Sequence, residues 1–336
     1  MKKTSVTPAN ENLPLYLFYY SKGILKNLLT KQKLYTGANP PSVKADITLT
    51  PKIVADWCNL FELSVPVQNS QHQHSSIPHL PYFSSAITLS FIDLLTSINI
   101  NFNNLLFTKW VVKINNNHHQ GQTENLIIGQ KYTLHTEISS ISIISAHSIF
   151  VGTKTNVTNS SNHHLISTSN NYFKVTKMNI NKNTIMPLTL TEDKLQPMRG
   201  LSKRRPQLKD PFLSKKIFIP VGFPLKFGRV SGDFSINHTT NFTAKYLLKF
   251  PKAFIQGICT SSYIFKIIAS DLNIDLHDFE MTFCNPIFVD QYININININ
   301  SDNSNRNNSN DNKNYLYEIT DENNLLLAFG SFGSFR

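Results

Sequence analysis

The chain has 336 residues, a length that predicts about two domains of roughly 150 residues each. Hydrophobic residues make up 40% of it, enough to build a core, which excludes a fully disordered chain. Lysine and arginine outnumber aspartate and glutamate by 32 to 21, and this net charge of +11 favours anionic partners without naming one.

Cysteine usage and the chain ends point to a soluble intracellular protein. The three cysteines, Cys58, Cys259 and Cys284, form no CxxC pair and are too few for a disulfide framework or a zinc cluster, so we predict no metal site. No run of about 18 uncharged apolar residues predicts a membrane span. The first residues lack an apolar signal core and the last four, GSFR, are not a peroxisomal tail. Cytoplasm, mitochondrion and peroxisome are not distinguished.

The pattern of apolar residues along the chain predicts a buried helix followed by several strands, and this arrangement occurs twice. In the first half the apolar segment 81–98 is too long for a strand, and a helix that is apolar on most faces is normally buried. In the second half the segment 253–272 has the same character. Runs with alternating β-branched residues predict antiparallel strands after each helix, at 106–114, 131–144, 147–157 and 164–175 and again at 278–292, 314–320 and 324–332.

This order predicts an α+β fold in which a curved antiparallel sheet wraps a buried helix, given twice. We expect an N-terminal unit over residues 1–175, a polar, basic linker over 176–216 and a C-terminal unit over 217–336. Low-complexity segments rich in asparagine predict loops expanded between strands, at 114–122, 156–164 and 292–314.

One stretch of the second half, residues 227–262, carries candidate chemistry. Asp233 and His238 lie five residues apart on an irregular loop, where an acid and an imidazole can both face one water molecule. Gly257 lies in the first turns of the apolar helix, where a carbonyl can approach backbone N–H donors. On the residues alone, an ordinary capped loop with a surface histidine is favoured over an acid–base pair.

The same stretch resembles the hydratase signature of the MaoC-like family, whose members have the hot-dog fold. The family pattern reads S-G-D-x-N-P-x-H, then an alanine, then I-A-H-G at the start of the central helix. Here Ser231-Gly232-Asp233 and His238 match it, as do Ala244 and Gly257. A later segment resembles a family strand at Phe283, Pro286 and Ile287. Three positions depart from the pattern: Ser235 stands for Asn, Ile236 for Pro and Gln256 for His.

The resemblance extends more faintly to the first half, and it implies a double hot-dog. Residues 77–89 are similar to the segment that enters the helix in the non-catalytic repeat of two-repeat family members. The first half has no Asp-x-x-x-x-His loop, so we expect the N-terminal repeat to be non-catalytic. Two fused repeats imply either a monomer that is a pseudo-dimer or a homodimer.

The resemblance also implies reversible addition of water to trans-2-enoyl thioesters, giving (R)-3-hydroxyacyl thioesters, in fatty-acid metabolism. Asp233, His238 and the Gly257 N–H are the expected catalytic groups, with coenzyme A or acyl carrier protein as the thioester carrier and no other cofactor. The expected substrate contacts are Ser231, Gly232, Ser235, Gln256, Ser262, Arg229 and Lys245. Arg229 and Lys245 would meet carrier phosphates, although a solvated basic face explains them equally.

Two alternatives remain open at this stage. The three departures from the family pattern are compatible with an acyl-thioester binder that has lost catalysis, and the fold is compatible with a hot-dog thioesterase. The absence of Walker, GxGxxG and HExxH motifs leaves nucleotide hydrolysis, dinucleotide redox chemistry and zinc proteolysis without support. No nucleic-acid-binding motif accompanies the positive charge, so we expect no nucleic-acid partner.

Overall fold

The computed structural model describes residues 3–5, 41–63, 80–98, 100, 105–115, 126–145, 147–176, 208, 210–247, 249–300 and 313–335. Parts of the predicted helix entry, loops and linker lie outside these residues, at 77–79, 116–122, 177–207 and 301–312.

All eleven strands of the described residues join in one sheet. Every pairing is antiparallel except that of β1 with β2 at one edge. The strands are β1 (Lys3–Ser5), β2 (Ser42–Thr48), β3 (Leu105–Ile114), β4 (Lys131–Ser145), β5 (Ser148–Asn159), β6 (Leu165–Val175), β7 (Leu213–Ile219), β8 (Asp275–Phe283), β9 (Gln291–Ile299), β10 (Lys313–Asp321) and β11 (Leu326–Phe335).

The sheet contains the same five-stranded pattern twice. Its order is β1-β2-β4-β5-β6-β3-β8-β11-β10-β9-β7. The first half contributes β2-β4-β5-β6-β3, and the second half, read from the opposite edge, contributes β7-β9-β10-β11-β8. If the strands of each half are numbered from one in chain order, without β1, both halves have the order 1-3-4-5-2. The second strands of the two halves, β3 and β8, pair antiparallel with Lys109 opposite Thr282 and Val112 opposite Phe279. Two equal halves joined edge to edge confirm the double hot-dog architecture that the sequence predicts.

Each half holds one buried helix against its sheet, as predicted. These are α2 (Ser84–Ser97), entered by a 3₁₀ turn over Leu80–Phe83, and α5 (Gly257–Ile267), which continues as a π-helical turn over Ile268–Leu272. The second half also contains α3 (Phe223–Ser231) and the short α4 (Ile236–Thr239). The Thr243–Leu247 segment forms a further π-helical turn. No helix of the described residues is long and apolar enough to span a membrane.

A helix that was not predicted from the sequence, α1 (Pro51–Leu60), lies between β2 and α2 in the chain. Thr50 caps it by accepting a hydrogen bond from the Ile53 N–H at 3.3 Å, and Pro51 occupies the first turn, where its missing N–H costs nothing. Just beyond α1, Phe61 packs edge-on against Phe223 and Tyr263 of the second half. Helix α1 therefore helps to join the two halves into one hydrophobic core.

The prediction of a loop insertion over 292–314 is wrong for its first eight and its last two residues, which lie in strands β9 and β10. Residues 292–299 belong to β9, which pairs with both β7 and β10. The repeated Ile-Asn sequence has a period of two, which places Ile293, Ile295 and Ile297 on the buried face. Similarly, β7 begins at Leu213, so the last four residues of the predicted linker, 213–216, belong to a strand. In both places asparagine or lysine content masked a strand pattern.

Two isoleucines of β9, one inside the strand and one at its end, offer a matched test of how deeply the strand is buried. Ile297 is 0% exposed and Ile299 is 43% exposed. We expect Ile297→Ala to lower the free energy of unfolding by about 2–5 kcal/mol because it leaves a cavity. Ile299→Ala should change it by no more than about 0.5 kcal/mol. Urea denaturation followed by circular dichroism measures both, and equal losses would contradict the burial of Ile297 in the core.

Candidate active site

A glycine turn places the candidate catalytic loop at the end of α3. Helix α3 ends at Ser231, and Gly232 follows in the left-handed region with φ 75°. Its N–H donates to the Gly228 carbonyl at 2.8 Å, which closes the helix. Glycine adopts this conformation without the steric cost that a Cβ brings. The chain then reverses, and Asp233 lies on the wall of a large cavity.

Ser235 holds the Asp233 carboxylate in place. Its hydroxyl donates to Asp233 Oδ1 at 2.6 Å, and its backbone N–H donates to the same oxygen at 3.1 Å. Both side chains line the cavity. Ser231 supports the same turn, because its hydroxyl oxygen accepts a hydrogen bond from the Asp233 N–H at 3.2 Å. The carboxylate is thereby oriented with Oδ2 unused by any partner among the described residues.

His238 is buried and oriented by a backbone carbonyl. Its ring nitrogen Nδ1 lies 2.6 Å from the Phe254 carbonyl oxygen. A carbonyl oxygen can only accept, so Nδ1 carries the proton and the neutral ring keeps a lone pair on Nε2. Burial lowers the pKa of His238, partly opposed by the negative charge of Asp233 and by the bond to Phe254. The imidazole is therefore a neutral base at pH 7.

Gly257 is the first residue of α5, and its N–H has no partner among the described residues, as is usual at a helix start. Partial positive charge at this end of the helix favours an anionic oxygen nearby. Phe107 of β3 packs against the glycine so closely that a side chain at position 257 would collide with its ring. A Cβ there would also lie 3.3 Å from Phe283.

Gln256 lies behind the cavity wall and not on it. Its side chain is 2% exposed, and its amide Nε2 donates to the Asp233 carbonyl at 3.0 Å and to the Pro224 carbonyl at 3.1 Å. The glutamine thus ties the candidate catalytic loop to the first turn of α3. The sequence predicted a substrate contact for Gln256, but its amide hydrogen-bonds the loop and its side chain does not line the cavity.

The cavity has a volume of about 840 Å³ and lies between the two halves of the chain. The second half contributes Asp233, Ser235, His238 and Gly257, together with Phe254 and Ile258. The first half contributes one face of α2, whose spacing of i, i+3, i+4 and i+7 is that of a single helical stripe: Thr88, Phe91, Ile92 and Leu95.

The remaining predicted contacts lie away from this cavity. The Ser262 hydroxyl donates to the Ile258 carbonyl of its own helix at 2.8 Å, so it is used internally. Arg229 and Lys245 are exposed and do not line the cavity. Gly232 acts through its backbone conformation alone.

Sequence reasoning missed the aromatic stack that joins the two halves at the site. Phe107 stacks on Phe173 of β6 with ring centroids 5.0 Å apart and on Phe283 of β8 with centroids 4.8 Å apart. All three rings line the cavity beside Gly257. Phe107 and Gly257 are 150 residues apart in the chain, and no local pattern reports such a contact.

With this geometry established, comparison with known proteins identifies the fold. A scan against protein-family models gives no match to the sequence, and a search of curated proteins gives none either. Among solved structures, a MaoC-like dehydratase from Phytophthora capsici superposes with a TM-score of 0.62 at 13% identity, covering 92% of this chain and 98% of its own.

Two further structures extend the comparison. The peroxisomal multifunctional enzyme type 2 from Drosophila melanogaster gives a TM-score of 0.60 at 12% identity, covering 88% of this chain and 48% of its own, so the chain spans about half of that enzyme. A 12:0-ACP thioesterase from Umbellularia californica gives 0.54 at 7% identity, covering 87% of this chain and 93% of its own. The chain therefore shares the fold of MaoC-like dehydratases and of hot-dog thioesterases.

The contact between Phe107 and Gly257 is open to a double-mutant test. We expect Gly257→Ala to lower the free energy of unfolding by about 1–3 kcal/mol, because the new methyl group displaces the Phe107 ring. In a Phe107→Ala background the same change should cost clearly less, since the obstacle is gone. Urea denaturation of the four proteins gives the coupling energy. Simple additivity would contradict the contact.

Proposed function

We propose that this chain, which has the fold of MaoC-like dehydratases, catalyses reversible hydration of trans-2-enoyl thioesters to (R)-3-hydroxyacyl thioesters. The observation that carries the proposal is the shared cavity wall of Asp233, His238 and Gly257. This wall combines a carboxylate, a neutral base with a free Nε2 and an unpaired helix N–H. These are the groups that addition of water to a polarised double bond requires.

Each group has one task in the proposed reaction. Asp233 and His238 hold one water molecule, and His238 Nε2 removes its proton as the oxygen bonds to C3. The electron pair of the double bond moves toward the thioester carbonyl, whose oxygen gains negative charge. The Gly257 N–H stabilises that charge, and a donor of this kind contributes about 3–4 kcal/mol. The proton taken by His238 then passes to C2, which completes the addition.

The lowered pKa of His238 suits both proton transfers. Burial keeps the ring neutral before reaction, so it is ready to accept the proton of water. The same burial makes the imidazolium a stronger acid than usual, which favours donation to C2. Its Nδ1 stays bonded to the Phe254 carbonyl throughout, so the ring keeps its orientation.

The apolar part of the cavity suits an acyl chain. Phe91, Ile92 and Leu95 of α2 offer it an apolar surface beside the reacting centre. The thioester is carried by coenzyme A or acyl carrier protein, and the step belongs to fatty-acid metabolism. Since one chain supplies both halves of the cavity, a monomer contains a complete site.

A hot-dog thioesterase is the second candidate, because thioesterases are among the structures that share the fold. Cys284 lines the cavity, but burial raises its pKa to about 11, so it is a thiol and a poor nucleophile at neutral pH. Release of free thiol from an acyl thioester would favour this candidate. A binder without catalysis would take up the thioester and leave it unchanged.

Removal of either catalytic side chain tests the proposal. We expect Asp233→Asn and His238→Ala each to lower kcat/KM for hydration of crotonyl-CoA by about 10²-fold or more, because water loses its positioning or its base. Loss of absorbance at the enoyl band measures the rate. His277 and Asp278 form a half-buried pair outside the cavity, with Nδ1 2.7 Å from Oδ2, and provide the matched controls His277→Ala and Asp278→Asn. Full activity in the cavity variants would refute the proposed pair.

The pH profile tests the state of His238. Because its pKa is lowered from 6.5, the ring stays neutral as pH falls through 6.5 and protonates only below it. We therefore expect kcat/KM to be level from pH 8 to 6.5 and to decline at lower pH. A decline that begins above pH 6.5 would contradict a buried neutral base. Circular dichroism at each pH checks that the fold persists.

A further inference from the structure

The segment between His238 and Phe250 carries two aromatic side chains that the fold leaves uncovered. Phe242 is 67% exposed and Tyr246 is 65% exposed, the highest values among the large hydrophobic side chains of the described residues. Their ring centroids are 5.0 Å apart. The core does not use this aromatic pair, which lies near the cavity in the chain. Exposed apolar surface of this kind is typical of a binding site, and two aromatic rings suit a ligand with a flat apolar face.

Chain length limits how far this pair can lie from the cavity. His238 and Phe250 both line the cavity, four residues before Phe242 and four after Tyr246. Four residues span at most about 14 Å, which bounds the distance of the pair from the wall. Two hydrogen bonds close the segment, from the Phe250 N–H to the Ala244 carbonyl at 2.9 Å and from the Ala253 N–H to Asn241 Oδ1 at 2.8 Å.

The charged side chains of this segment are all positive. No aspartate or glutamate occurs between Asp233 and Asp271, a stretch that contains four lysines. Lys245 Nζ lies 5.7 Å from the centre of the Tyr246 ring. Lys245 and Lys249 are exposed, and neither forms an ion pair with a described residue. Lys252, by contrast, is paired with Asp290 at 3.0 Å.

We propose that Phe242 and Tyr246 form a base-stacking platform for the 3′-phosphoadenosine end of coenzyme A, with Lys245 and Lys249 meeting its phosphates. An adenine ring offers the flat face that the pair requires, and stacking on an aromatic side chain is tolerant of geometry. Unpaired ammonium groups suit phosphate oxygens. The proposal rests on the proposed function and names its carrier, since acyl carrier protein brings no adenine.

A second aromatic pair in the same chain provides a matched control. Phe218 and Tyr292 on β7 and β9 are also exposed, with centroids 5.0 Å apart and Lys216 Nζ 4.5 Å from the Tyr292 ring. This lysine is paired with Glu322 at 3.0 Å, and neither ring lines the cavity. The control pair therefore has the same two kinds of ring and a neighbouring lysine. It differs in that this lysine is paired with an acid and neither ring is near the cavity lining.

Calorimetric titration with adenosine 3′,5′-bisphosphate tests the platform without any turnover. We expect the wild type and the Phe218→Ala/Tyr292→Ala variant to bind it equally. The Phe242→Ala/Tyr246→Ala variant should bind it at least about tenfold more weakly, because it loses the stacking surface. Equal affinity in all three proteins, or equal weakening in both variants, would overturn the proposal.

A kinetic comparison distinguishes failure of the platform from failure of the proposed function. With crotonyl-CoA the Phe242→Ala/Tyr246→Ala variant should show a raised KM and an unchanged kcat, whereas with crotonyl-pantetheine it should match the wild type. Turnover with no such difference would overturn the platform and leave the hydratase standing. Bisphosphate binding without turnover would do the reverse. Loss of binding to an acyl carrier protein, with bisphosphate affinity unchanged, would assign the surface to that protein instead.

Discussion

The hydrogen bond from His238 to the Phe254 carbonyl determines what the site can do. It places the proton of the buried ring on Nδ1 and leaves Nε2 as an acceptor toward the cavity. Burial, which lowers the pKa, keeps that acceptor free at neutral pH. Phe254 comes just before α5, so the same short segment that orients the base also delivers the Gly257 N–H. Base and helix N–H are therefore set relative to one another by three residues of backbone.

The two halves of the chain divide the work unequally although their strand order is the same. The second half supplies the carboxylate, the imidazole and the helix N–H, while the first supplies the apolar face of α2. Phe107 connects them, because its ring stacks between Phe173 and Phe283 and rests on Gly257. The glycine at the start of α5 therefore has two effects. Its N–H has no partner among the described residues, and its lack of a side chain lets the Phe107 ring of the first half pack against it.

Much of this could be predicted from local sequence, and the exceptions have a physical reason. The helices α2 and α5 and most strands follow from apolar runs and a period of two, which depend on neighbouring residues alone. The turn at Gly232 also follows from local sequence, whereas the placing of Asp233 and His238 on one wall was expected from the resemblance to the MaoC-like signature. The β9 strand was missed because asparagine content outweighed its alternation. Phe107 and the inward-turned Gln256 depend on contacts between distant segments, which no local pattern records.

The most direct test of this account is the protonation state of His238, read by ¹⁵N NMR of the histidine rings, with His238→Gln used to assign its signals. The account predicts a neutral ring at pH 7 with the proton on Nδ1, and a pKa below the ordinary value of 6.5. A proton on Nε2 would contradict it, because the site would then have no free base facing its cavity. Titration at the ordinary value of 6.5 or above would also contradict it, because burial should lower the pKa of the ring.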